Sequence, residues 1–230
     1  GPVHAWVDPD EVRVQLQLTS AVALEHGLLV EGERHAVHTV EVSGTPHAVV
    51  YLPDAGRAAA DRIHRLGSAI RRHPDFPDGT NVNFVEVADR HTLRQRTFER
   101  GVEGETLACG TGAVASSVVS ATLGRVDSPV RLMVRGGELR VTFVRQGEGF
   151  GALFLGGGAR FVAEGVLHPE AWSWPPVGLG APGVAHVVQP VDERLGFAVC
   201  LGLFSLFGLL ARRTGMLAPQ VLDEASKIGL

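Results

Sequence analysis

The sequence is poor in the residues on which several large function classes depend. It holds two cysteines in 230 residues, Cys109 and Cys200. They are too few and too far apart for a disulfide framework or a clustered zinc site, so a reducing compartment, the cytoplasm, is the expectation. Lysine is scarcer: all but one of the 21 basic residues are arginine, and the exception, Lys227, stands close to the C-terminus outside any packed pattern. Pyridoxal phosphate chemistry would need that lysine for its Schiff base, which argues against it. A surplus of positive charge is also missing, with 21 basic against 25 acidic residues and a net charge of -4. Nothing in that balance favours a phosphate backbone, and no nucleic-acid partner is expected. No initiator methionine, basic n-region or apolar h-region opens the sequence, so no secretory signal is expected.

What is present suffices for a packed core, since 45% of the residues are hydrophobic. The length suits one large domain or two small ones. Val12, Val14, Leu16 and Leu18 alternate with polar residues, and residues 48–52 form a short apolar run; both predict strands. Between residues 58 and 71, Ile63, Leu66 and Ile70 recur at helical spacing with arginines between them, which predicts a surface helix with one buried face. Residues 82–87, 93–98, 130–134 and 139–144, separated by turns such as Arg135-Gly136-Gly137, read as an antiparallel meander. Residues 112–123 differ: Ala, Val, Ser and Thr on every face, closed by Gly124, predict a buried helix.

After His168 the composition changes. Pro169, Pro175, Pro176 and Pro182, with glycine and alanine around them, predict a linker over residues 169–194, leaving residues 1–168 as one lobe and 195–230 as an apolar helix and tail. Residues 195–211 carry no charge and are followed by Arg212 and Arg213. As a helix this run would extend about 25 Å against a hydrocarbon core of about 30 Å. Glycine and small polar residues dilute it, so a buried or partner-docking helix is favoured over a membrane attachment.

The stretch richest in chemistry is residues 98–112, in which Cys109 stands just before a glycine-flanked helix start, Gly110-Thr111-Gly112. Unpaired amides in a helix's first turn point beyond it and favour an anion, either a thiolate or a carboxylate. A thiolate beside such a cradle suits removal of an α-proton from an amino acid. Spacing alone leaves a second reading open, in which Cys109 is a small buried hydrophobe at a helix entry.

This stretch resembles the second cysteine motif of the diaminopimelate epimerases, a cofactor-independent racemase family. Three further segments match in order: Gly44-Thr45-Pro46-His47 resembles that family's Gly-Asn-Pro-His, Asn81-Val82-Asn83-Phe84 its Asn-Val-x-Phe strand, and Glu99-Arg100-Gly101 its Glu-Arg-Gly turn. The resemblance spans about residues 1–167 and implies an α+β lobe, an antiparallel β-barrel-like sheet around a central buried helix. It implies conversion of LL- to meso-diaminopimelate for lysine synthesis, without metal or cofactor, by two cysteines on opposite sides of the α-carbon. Cys109 would be one of the pair, with the Gly110 and Thr111 amides on the α-carboxylate and Glu99 on the α-ammonium. His47 would lie near the thiol, and Asn81 and Arg100 would recognise the distal end of the substrate.

Two departures stand out. Thr45 replaces the family's asparagine, which bears on recognition of the distal carboxylate and leaves room for another amino-acid substrate. No cysteine precedes Cys109, so the family's first cysteine motif is not in residues 1–108, and Cys200 in its apolar run is a poor substitute. Either a second lobe or a homodimer partner completes the site, or the lobe is inactive and binds a carboxylate or a protein partner. The remaining clusters are weak. His35 and His38 are three apart among strand-forming residues and would face opposite sides, which argues against a metal. Gly156-Gly157-Gly158 reads as a sharp turn.

Overall fold

The computed structural model describes residues 4–8, 11–147, 149–164 and 196–199. These fall into two units.

The first unit, up to residue 159, is an eleven-stranded sheet carrying, among the described residues, two α-helices and a short 3-10 turn. In chain order its strands are β1 (Ala5–Val7), β2 (Val12–Leu16), β3 (Ala23–Val30), β4 (Glu33–Val42), β5 (Thr45–Tyr51), β6 (Asn81–Asp89), β7 (Thr92–Glu99), β8 (Gly104–Thr106), β9 (Val130–Val134), β10 (Gly137–Gln146) and β11 (Gly149–Gly157). Their order across the sheet is β1-β2-β11-β10-β9-β7-β6-β5-β4-β3, with β8 on β7. Local chemistry makes the hairpins: Glu31-Gly32 and Ser43-Gly44 all have positive φ, the requirement of two-residue turns whose twist matches the flanking strands.

The expectation of an antiparallel, barrel-like sheet is corrected in two respects. Strands β5 and β6 pair in parallel, and so do β7 and β9. Each parallel joint is bridged by a long connection containing a helix, α1 (Ala60–Arg71) or α2 (Gly110–Thr122), because a hairpin cannot join parallel strands. The sheet is also not closed into a barrel. Its path ends at β1 and β3, and one isolated bridge, Leu18 to Val42, ties its two arms.

The two helices cover opposite faces of the same strands. Alternate residues of β5, β6 and β7 divide between them: Ala48, Val50, Phe84 and Phe98 pack with Ile63, Leu66 and Ile70 of α1. Val49, Val85 and Leu93 join Val114, Val118 and Val119 of α2. Helix α1 buries the three residues its periodicity predicts. Helix α2 is buried from Gly110 to Ala121, as a helix with small or apolar residues on every face should be, and begins two residues before the expected start.

Gly156 and Gly157 lie inside β11 rather than at a turn. A side chain at Gly156 would meet a carboxylate oxygen of Glu11 at 2.8 Å, so the glycine makes room for that side chain. His35 and His38 both lie on β4, where odd and even positions face different cores.

The second unit pairs β12 (Arg160–Glu164) with β13 (Gly196–Val199), antiparallel. Gly196–Val199 opens the apolar run expected as a helix. Here it is a strand, its backbone committed to cross-strand bonds with β12. The linker expected over 169–194 and the remainder of 195–230 lie outside the described residues. Among the described residues no helix is long and apolar enough to cross a membrane.

Candidate functional site

The strand surface facing α2 changes character along its length. Away from the helix start it is apolar, with Val49, Val85 and Leu93. Toward the helix start the same rows carry His47 on β5, Asn81 and Asn83 on β6, and Thr97 and Glu99 on β7, all buried. Register makes them neighbours: His47 pairs with Asn81 and Asn83 with Thr97. So many buried polar groups require partners, and their network can be followed bond by bond.

Cys109 is the N-cap of α2, in an extended conformation with φ -132 and ψ 110, and is buried. Its carbonyl accepts the first helical bond, from the Ala113 amide at 2.9 Å. Its sulfur lies 3.7 Å from the Thr111 hydroxyl. The amides of Gly110 and Thr111 fall in the first turn, where a helix supplies no acceptors of its own. Glycine at 112 is a packing requirement. A Cβ there would lie 2.3 Å from Asn83 Oδ1 and 3.1 Å from Cys109 Sγ, so the amide of Asn83 and the thiol both border this glycine.

Asn83 is the hub. Its Nδ2 donates to the Ala48 carbonyl at 3.2 Å and meets His47 Nδ1 at 3.1 Å, while its Oδ1 accepts from the Thr97 hydroxyl at 3.1 Å. Gln95 Nε2 in turn donates to that hydroxyl at 3.0 Å. His47 is fully enclosed, and burial, seconded by the Arg100 guanidinium, pulls its pKa down to about 3. It is neutral at ordinary pH. Its Nε2 is buried without a hydrogen-bond partner among the described residues.

Glu99 accepts from the Thr106 hydroxyl at 2.5 Å, and that hydroxyl is also 3.4 Å from the Ala108 carbonyl, tying β7 to the loop that delivers Cys109. The Gly136 amide donates to the Leu107 carbonyl at 2.7 Å, fixing the same loop to the β9–β10 turn. Asn81 Oδ1 accepts the Arg100 amide at 2.8 Å, and the Arg100 guanidinium donates to the carbonyls of Asp78 and Gly79 at 3.0 and 3.3 Å.

Of the residues singled out in the sequence, Cys109, Gly110 and Thr111 occupy the first turn of α2 and its cap, and His47, Asn81 and Glu99 the strands facing it. Arg100 sits just past β7, with its guanidinium on backbone carbonyls. Thr45 lies two residues before His47 on the same strand, half-buried, at the β4–β5 turn. Sequence reasoning passed over Asn83 as a site residue, together with Thr97 and Gln95. The signal for Asn83 was the two-residue period of a strand, which puts it on the face of Asn81. Among the described residues no group of three or more His, Cys, Asp or Glu side chains is arranged to hold a metal ion.

The family model described as diaminopimelate epimerase matches residues 39–162. A diaminopimelate epimerase of Ralstonia nicotianae is 40% identical over 147 residues, covering 64% of this chain and 48% of that protein. One of Aquifex aeolicus is 39% identical over 172 residues, covering 74% of this chain and 60% of its own length. One of Xanthomonas euvesicatoria is 43% identical over 141 residues, covering 61% and 47%. The chain thus spans about half the length of the curated relatives it matches.

Proposed function

The chain belongs to the diaminopimelate epimerase family, and from that premise we propose that it carries one of the two acid–base groups of an amino-acid epimerisation, the Cys109 thiol. The proposed substrate is diaminopimelate, the compound named in its relatives, inverted from the LL to the meso form. The observation that carries this reading is the burial of Cys109 at the cap of α2, against strands bearing His47, Asn81, Asn83 and Glu99. The α-carboxylate would rest on the amides of Gly110 and Thr111, where the helix end favours negative charge. Glu99, held by Thr106, would take the α-ammonium. The Cys109 thiolate would then remove the α-proton, or the thiol return one, on a single face of the α-carbon, while fixed donors hold the charge that develops on the carboxylate.

Inversion needs a second acid–base group on the opposite face. Residues 1–108 hold no cysteine, so that group would come from another lobe or a partner chain. A cytoplasmic setting, where thiols stay reduced, suits both.

The test is α-proton exchange of LL-diaminopimelate in D₂O, followed by NMR with chirality read at the end, for the chain and for Cys109→Ala. Deuterium uptake abolished by the substitution is the expected result. Retained configuration would mark one working face, and inversion would require a second group within the chain. A folded chain that exchanges no proton, or a Cys109→Ala variant that exchanges as fast as the parent, would overturn the assignment. The first of these would favour a lobe that only binds a carboxylate or a partner.

A further inference from the structure

We infer that Asn83 is a positioning residue that holds His47 as the tautomer protonated at Nε2, so that His47 offers a hydrogen-bond donor, and not a base, beside the first turn of α2. The orientation of the Asn83 amide decides this. Its partner at 3.2 Å is the Ala48 carbonyl, which can only accept, so the atom facing it must be the NH₂ group. The opposite orientation would set two carbonyl oxygens against each other. The oxygen end is held in addition by the Thr97 hydroxyl, which is free to donate because Gln95 Nε2 donates into it. The same NH₂ group is 3.1 Å from His47 Nδ1, and a nitrogen facing an N–H donor must be the acceptor. A neutral imidazole with a bare Nδ1 carries its proton on Nε2.

That Nε2–H is buried and has no partner among the described residues. A buried donor without an acceptor is costly, and at a site of this kind it marks the place where an acceptor arrives. The charged group that acts on the ring is Arg100, just past β7. Burial and the cationic Arg100 both oppose a second proton on the ring. The acceptor the ring would serve is therefore an anion at the cap of α2. Gly112 links the two parts of the arrangement, since the Asn83 carbonyl oxygen lies where any larger residue would place its Cβ, next to the Cys109 sulfur. The need for glycine at 112 and the tautomer of His47 both trace to one amide.

The inference rests on the proposed function only in reading this end of α2 as the place where substrate binds. The tautomer can be read without turnover. In the full chain labelled at histidine nitrogens, long-range ¹H–¹⁵N spectra assign His47 by the signals lost in His47→Gln. The expected pattern is a protonated Nε2 and a bare Nδ1, unchanged from about pH 5 to about pH 8. In Asn83→Asp the carboxylate can only accept, and the proton should move to Nδ1, with the ring titrating at higher pH. Thr97→Val, which keeps its shape and loosens the amide, should give a mixture of tautomers and keeps the test open if the aspartate variant does not fold. A parent spectrum showing Nδ1–H or a doubly protonated ring overturns the inference, as does an unchanged pattern in both variants. If the tautomer is as stated and no α-proton exchanges, the proposed function fails and this inference stands. Exchange with Nδ1–H on His47 fails this inference alone.

Discussion

Helices α1 and α2 pack on the same three strands from opposite sides and are built on opposite plans. Helix α1 is a surface helix, with Ile63, Leu66 and Ile70 inward and arginines outward. Helix α2 is enclosed on every side and carries no charge. The strand face under α1 holds an apolar core, whereas the face under α2 turns polar where the helix begins. A helix that spends its stripe on packing can close off a core. One that is buried all round, with small residues, can bring its own unpaired first-turn amides into the interior, where they act on an anion with little competition from water.

The first way to sharpen this contrast is acid. His47, on the α2 side, has its pKa pulled from the ordinary histidine value of 6.5 down to about 3 in the fold by burial. Between those values the unfolded chain binds a proton that the native chain refuses. Stability is therefore complete above the upper value and falls as pH drops through the window. Denaturant unfolding from about pH 7 to about pH 5 should show a loss approaching about 1.4 kcal/mol per pH unit once below the upper value. His47→Gln should remove that slope. An identical slope in the variant would show that the burial of a neutral His47 is not the acid-sensitive element.

The second prediction sets one glycine of each helix against the other. At Gly67 of α1 a Cβ would meet Phe98 Cβ at 2.5 Å, an atom fixed to the backbone of β7. At Gly112 of α2 it would meet the oxygen of the Asn83 amide, a side-chain end held only by its hydrogen bonds to Ala48, His47 and Thr97. Gly67→Ala should cost stability, about 1–3 kcal/mol of overpacking, partly offset by about 1 kcal/mol of helix propensity. The folded fraction should exchange α-protons at the parent rate. Gly112→Ala should lose exchange on the order of a hundredfold, because the amide that orients His47 is displaced next to the thiol. Equal loss of exchange in both variants would mean that the two helices are not divided between packing and chemistry.

The sequence made one of these helices easier to read than the other. The three- and four-residue spacing of Ile63, Leu66 and Ile70 specifies α1 directly. Helix α2 is legible only through lack of period; the run of Ala, Val, Ser and Thr marks its body from residue 112, and the glycine-flanked entry at Gly110 and Thr111 belongs to its first turn. The parallel joints β5–β6 and β7–β9 were not legible, since a strand alternates in the same way whichever direction its neighbour runs. Strand β11 was hidden by its glycines, one of which makes room for Glu11. In the site, Cys109 and its glycines stand together in the chain and could be seen there. Asn83 could not, because its importance lies in contacts with His47, 36 positions away, and Thr97, 14 positions away. Those contacts exist only once β5, β6 and β7 are in register.

The smallest predicted effect concerns the far end of α2, where the Tyr51 hydroxyl and Ser120 Oγ are 2.7 Å apart and the Arg125 guanidinium lies 3.9 Å over the Tyr51 ring. Tyr51→Phe keeps the ring and its cation contact but leaves the buried Ser120 hydroxyl without this partner. The expected cost is about 1 kcal/mol, at the low end for a buried hydroxyl because a helical serine can turn back to the carbonyl four residues earlier. Adding Ser120→Ala should recover part of that loss, since removing both partners leaves no orphaned group. α-Proton exchange should not change in either variant. A loss of exchange here, with the fold intact, would mean that the apolar and polar stretches of the α2 face are coupled, and that the helix transmits what happens at one end to the other.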